Sequence, residues 1–302
     1  MSWIVPALLA PAMYAIVSFI DKYLLSKVVR DYNAMPVYTG IVGFIAGTLF
    51  WFAAGLPMLP PKDAIIILTT GILTGTSLYV YFRALSMEEA SSINIFFQTF
   101  PIFSLILSKL FLNETLSVNQ YAGFILIFSS GIIMSYEPTS KSKKHFGLSP
   151  AFLLILAYNF LWATAGILMK FTSSTNSFKS LVSFESWGVG VGGILLFLFF
   201  PNIRKAFLKS TKKMNVKALS IIGLNEGVFV FAKSFTFYAF SIGPVALVSV
   251  LETTQSVFAL IYGYILTLIA PNTFKEDISK RGLFKKMVAI AFVVVGVLLV
   301  NL

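Results

Sequence analysis

The chain of 302 residues has no cysteine and a single histidine, His145. Disulfides, thiol catalysis and cysteine-based metal sites are thereby excluded. One imidazole in a lysine-rich loop cannot form a histidine cluster for metal at depth either. Charge is scarce: 12% of residues are Asp, Glu, Lys or Arg, against about 25% in soluble domains. Such a chain cannot coat itself with a solvated surface. It is instead 57% hydrophobic with a mean hydropathy of +0.86, the composition of a chain that crosses a membrane many times.

The net charge of +11 falls in short patches between apolar runs. That placement argues against nucleic acid and for membrane orientation and attraction to anionic head groups. The first run, Trp3 to Ile20, lacks a basic leader and a small-residue cleavage site, so it reads as a retained helix rather than a signal peptide.

A helical span needs roughly 20 apolar residues. Such runs occur at about 3–24, 35–55, 64–85, 91–112, 118–136, 148–170, 181–200, 217–240, 244–269 and 286–302. The expected fold is an all-α membrane protein of ten transmembrane helices. A basic linker at 138–147 separates two five-span halves, 1–137 and 148–302. Shifting one half against the other by 155 positions aligns 84–107 with 239–262, with Ala84/Ala239, Ser86/Ser241, Thr99/Thr254, Phe103/Phe258 and Leu105/Leu260 identical. An odd number of spans per repeat puts the halves in opposite orientations, the inverted-repeat plan common among secondary transporters.

In the turn before the fourth span, Ser86 and Glu89 have capping-box spacing. Glu88 and Glu89 are therefore expected to cap that helix. Pro244 takes the first-turn role in the second half.

The stretch "FLNETLSVNQYAGFILIFSSGIIM", Phe111 to Met134, has a small residue plus Glu, then Leu and Ser, then a glycine-bearing helix. With Pro101 in the preceding span, it resembles EamA-type members of the drug/metabolite transporter superfamily. The resemblance implies a central cavity lined by the first, third and fourth spans and their partners, the sixth, eighth and ninth. In the second half the Asn113–Glu114 counterpart is lost and Ser256 replaces the proline.

Four spans carry polar groups at depth. The ninth has Glu252 and Gln255; the eighth has Asn225, Glu226 and Lys233; the fourth has Asn94 and Gln98; the sixth has Tyr158, Asn159 and Trp162. An ionised side chain at the bilayer centre costs about 2.5–3.5 kcal/mol on insertion scales. Lys233 is therefore expected to pair with Glu226 or Glu252, leaving the other carboxylate desolvated for proton coupling or for a substrate amine. Asp21, Lys22 and Arg83 lie near span ends and read as interfacial anchors. The spans are read as offering no further Asp, His or Cys for an enzymatic site. Gly188, Gly190, Gly192 and Gly193 suggest close helix contact.

The expectation is thus a plasma-membrane secondary transporter, not an enzyme, with no cofactor or metal. Its partners would be a small polar metabolite, amino-acid-like, together with protons and the lipid bilayer. The alternative is a non-transporting or lipid-handling membrane protein whose Glu/Lys cluster is structural. Lys and Arg lie overwhelmingly on one side of the ten spans, the other receiving only Lys62, Lys109, Lys170 and Lys179. The positive-inside rule then places both termini outside.

Overall fold

The structure, a computed structural model, describes residues 3–113, 117–135, 149–271, 277 and 279–300. The expected linker with His145, and Glu114 and Leu116 of the family pattern, lie outside the described residues. Those described are helical apart from short turns, with no strand among them. The helices are α1 (Ile4–Tyr23), α2 (Met35–Ala53), α3 (Pro61–Met87), α4 (Ala90–Phe96), α5 (Phe100–Leu112), α6 (Val118–Ser135) and α7 (Pro150–Ser173). They continue as α8 (Phe178–Phe199), α9 (Pro201–Thr211), α10 (Val216–Ile242), α11 (Val245–Glu252), α12 (Gln255–Ile269) and α13 (Lys280–Val300).

Local chemistry sets the helix starts. Proline occupies the first turn of α2, α3, α5, α7 and α9, where a missing N–H costs nothing. Ser177 and Asn215 cap α8 and α10 by accepting from the amides of Ser180 and Ala218 at 3.3 and 2.9 Å. The expected capping box does not form. The Ser86 hydroxyl donates back to the Arg83 carbonyl, and Glu89 makes no side-chain cap bond. Glu89 instead accepts from the Asp277 amide at 2.9 Å and pairs with Lys286 at 3.1 Å, while Glu88 accepts from the Ser149 hydroxyl. These carboxylates tie the α3–α4 turn to the starts of α13 and α7.

Among the described residues, eight helical segments are long and apolar enough to cross a membrane, including the composite ones Ile4–Val28, Ala90–Leu112 and Val245–Ile269. At the positions of the fifth and tenth apolar runs, α6 and α13 pack on each other. Exposed apolar side chains such as Leu49, Ile125, Leu198 and Leu224 face outward, as a lipid-facing surface requires.

Three features of the packing position the interior. First, α8 lies between α2 and α3, and glycines permit the approach. A Cβ on Gly40 would sit 2.8 Å from the Gly193 Cα, and one on Gly71 would collide with the Glu185 carbonyl oxygen. Backbones this close are the usual product of small residues at membrane interfaces. Second, the ammonium of Lys22, near the end of α1, donates to the carbonyls of Leu85 and Glu88 at the end of α3. Lys170, near the end of α7, donates likewise to Ser241 and Gly243 at the end of α10. Each lysine satisfies carbonyls that a helix end leaves open. Third, two membrane-crossing segments are broken. A 3₁₀ turn at Phe97–Thr99 separates α4 from α5, and a turn at Thr253–Thr254 separates α11 from α12.

One element was not foreseen: α9, between the seventh and eighth apolar runs. Its Ile203, Ala206 and Ser210 are buried, while Arg204, Lys205 and Lys209 are exposed. The Tyr38 hydroxyl bonds Ser210 and Thr211 at 2.9 and 2.8 Å, and its ring packs on Phe207. The apolar positions recur at helical spacing with basic residues between them, the pattern of a helix lying in the membrane interface.

Candidate functional site

The breaks at Phe97–Thr99 and Thr253–Thr254 free backbone groups in the middle of the molecule. A side chain from the opposite segment takes up one of them: the Gln98 amide donates to the Thr253 backbone carbonyl at 2.9 Å. Beside it, the Gln255 amide donates to the side-chain oxygen of Asn94. Asn94 in turn donates to Ser18 on α1 at 2.6 Å, and Asn159 on α7 donates to Thr99 at 2.8 Å. Buried irregular backbone at membrane depth is tolerated only when re-satisfied in this way or when it lines a cavity.

Here it also lines a cavity. The walls come from α1 (Tyr14, Val17, Ser18, Asp21), α3 (Leu78, Tyr81, Phe82), the first broken segment (Phe97, Phe100), α7 (Tyr158, Asn159, Trp162), α10 (Glu226, Phe229) and the second broken segment (Glu252, Thr253, Gln255), with Thr39 from α2. Its volume is about 60 Å³, room for a few waters. Three carboxylates line it, and each is held by neutral donors. Asp21 accepts from the Tyr81 hydroxyl at 2.9 Å and the Asn225 amide at 2.7 Å. Glu226 accepts from the Thr39 hydroxyl at 2.7 Å, and Glu252 from the Thr236 hydroxyl. Much of the remaining wall is aromatic. Tyr158 and Trp162 stack at 5.7 Å, Tyr14 meets Trp162 edge-on at 6.2 Å, and Tyr81 packs against Phe97 and Tyr158.

Of the ten residues singled out from sequence, Tyr158, Asn159, Trp162, Glu226, Glu252 and Gln255 line this space. Asn94, Gln98 and Asn225 stand behind it in the hydrogen bonds just described. Lys233 is the correction. Its ammonium bonds neither Glu226 nor Glu252 but Glu185 on α8, at 2.5 Å, with the two residues 1% and 0% exposed. Glu226 precedes it by two turns on α10, yet its carboxylate bonds Thr39 on α2, whereas α8 brings Glu185 within direct reach of Lys233. The seven-residue spacing fixes a shared face, not a contact.

Two acidic residues were missed. Asp21 was placed at a span end, but α1 runs on through a π-helical turn at Leu24–Val28. That extension draws Asp21 inward, where it is 2% exposed. Glu185 sits inside the glycine-rich run 181–200 and could have been found by the same rule that exposed Glu252: an acid in the interior of an apolar span needs a partner.

Comparisons with known proteins agree with this architecture. A search of the curated proteins found no match. Among solved structures 28 chains match. One, described only as the crystal structure of a protein, superposes with a TM-score of 0.65 over 98% of each chain at 15% identity, a likeness of fold alone. The model of the EamA-like transporter family matches residues 1–136. Over residues 1–136, this multi-pass membrane protein is similar to the EamA-like transporter family.

Proposed function

We propose that the protein is a secondary transporter of the cell membrane that moves a small polar solute by alternating access. In this reading two inverted five-helix repeats, 1–137 and 148–302 with the basic linker 138–147 between them, flank the central cavity. One observation carries it: elements of the two halves pack on each other in reciprocal pairs, with the two broken segments facing each other at that cavity. The segment α4–α5 faces α11–α12, α2 packs on α8 and α6 on α13, while α3–α7 and α1–α10 are exchanged pairs. The backbone breaks are themselves 155 positions apart, and Gln98 bonds Thr253 at that same separation. The lysine clamps at Lys22 and Lys170 repeat as well. Inverted repeats with broken helices at the midplane are the architecture on which rocking of one bundle against the other exposes a fixed site to each side in turn.

The small volume of the cavity supports the same reading, because a metabolite could enter only after its walls separate. Proton coupling would run through a lining carboxylate, and Glu252, on a broken segment, is best placed for it. Of the amino-acid-like solute suggested by the residue types, the cavity keeps partners for the amine. Lys233, a cation that could have met the solute's carboxylate, is engaged by Glu185. A purely structural role suits that lysine, but it leaves three lining carboxylates unexplained.

The test uses the absence of native cysteine. Val17→Cys places one thiol on the cavity wall. A membrane-impermeant maleimide should label it in both right-side-out and inside-out vesicles. Labelling from one side only would contradict alternating access. Orientation is checked separately. A C-terminal reporter active only in the cytoplasm should stay dark if the charge bias governs, and a strong signal would reverse the assignment.

A further inference from the structure

We propose that the cavity takes an organic amine cation with an apolar or aromatic body and no carboxylate of its own. This rests on the transporter reading for the location of the site but not for its chemistry. The lining holds Asp21, Glu226 and Glu252, and no lysine or arginine among the described residues. The buried cation on α10, Lys233, is bonded to Glu185, which is not part of the wall. An anionic group in the solute would thus meet three carboxyl groups and no cationic side chain on the wall, whereas an ammonium would meet up to three acceptors.

The hydrogen-bond inventory points the same way. Among the described residues, the buried atoms near the cavity with no hydrogen-bond partner are two acceptors behind the wall, Asn225 Oδ1 and Gln98 Oε1, and one hydroxyl on the wall, that of Tyr14, which can donate or accept. The available donors of Tyr81, Asn225, Thr39 and Thr236 are already spent on the carboxylates. Buried polar groups are almost always paired, and three carboxylates against the one unpartnered Tyr14 hydroxyl leave the wall richer in acceptors than donors, so the site calls for a ligand that brings N–H donors. The walls supply the remainder of the recognition. Tyr14, Tyr158 and Trp162, with Phe97, Phe100 and Phe229, offer aromatic surface to the ligand's body. Loss of ammonium hydration on entering would be offset by the carboxylates, which a zwitterion's own carboxylate would undo.

Three probes with one phenyl body and different charge separate the cases: 2-phenylethylamine (cation), phenylalanine (zwitterion) and 3-phenylpropanoate (anion). Binding to the purified full-length protein in detergent is read as a rise in melting temperature and by equilibrium dialysis. The amine should bind on the order of tenfold or more tightly than either competitor. Asp21→Asn and Glu252→Gln should each weaken it by about tenfold. Equal or better binding of phenylalanine or the anion would overturn the proposal. So would failure of the amine to bind, or binding untouched by both substitutions. The wild-type comparison stands even if a variant does not fold. Because none of these readouts involves transport, two-sided labelling of Val17→Cys with a zwitterion-preferring site would sink the substrate class and leave the transporter standing. One-sided labelling with amine binding would do the reverse.

Discussion

Lys233→Met should lower the stability of the folded protein by about 3–5 kcal/mol, the usual cost of removing one partner of a buried ion pair. The ammonium and the Glu185 carboxylate are 2.5 Å apart and shut off from the surroundings. Deleting the lysine leaves Glu185 with the Ser186 hydroxyl at 3.5 Å, and its Oε1 has no hydrogen-bond partner even when the lysine is present. The charge would be isolated beside the close approach of α8 and α3 at Gly71. The double change Lys233→Met with Glu185→Gln removes both charges and should recover most of the loss, because the net worth of a buried pair is far smaller than the cost of halving it. Melting temperatures of the single and double variants in detergent check this. A single variant that melts with the wild type would mean that the pair does not hold α10 to α8. A double variant as unstable as the single would assign Lys233 a second partner, with Glu226 the first candidate.

The pair also shows how far residue patterns reach in this chain. The apolar runs, the polar positions in the fourth, sixth, eighth and ninth spans, and the glycines at the α8 contact are all legible, because each follows from a periodicity or from the cost of burying a polar group. Six of the polar positions converge on one space. Partner choice was not legible. Whether Lys233 reaches Glu185, Glu226 or Glu252 depends on how α8 and α10 are rotated and spaced, which no spacing along one helix encodes. Asp21 was misplaced for a different reason: a π-helical turn lengthened α1 past the point where hydrophobicity falls. Tyr14, Thr39 and Tyr81 were passed over because a lone hydroxyl in an apolar run is cheap to bury and carries little signal by itself. The breaks in the two crossing segments were half visible. Pro101 marks the restart of α5, but the break before α12 has no proline and is defined only by the Thr253–Thr254 turn and its hydrogen-bonded partners.

Glu252→Gln should have the opposite profile to Lys233→Met: near-native stability with loss of driven uptake. Glu252 has no lysine to orphan, since Lys233 belongs to Glu185. The Thr236 hydroxyl that donates to Glu252 can donate equally to the glutamine carbonyl, so the local bond survives. The change should therefore cost no more than about 1 kcal/mol, within the range of a rearranged neutral hydrogen bond. Function is another matter. A coupling residue must exchange a proton for a cation, being neutral in one half of the cycle and charged in the other. Glutamine copies the neutral form alone. Its position sharpens the expectation: Glu252 is the last residue of α11, at a break whose freed carbonyl is held by Gln98 across the interface. A change in its charge would be felt where the two halves meet. In proteoliposomes with an imposed pH gradient, accumulation of 2-phenylethylamine should fall at least about tenfold in the variant, a barrier change near 1.4 kcal/mol, while its melting temperature stays close to the wild type. A stable variant that still accumulates the amine would remove Glu252 from the coupling step and transfer the role to Glu226, the cavity carboxylate held by Thr39 alone. A variant that neither folds nor inserts would instead make Glu252 part of the scaffold, through its bond to α10, and the matching Thr236→Val variant should then be equally unstable.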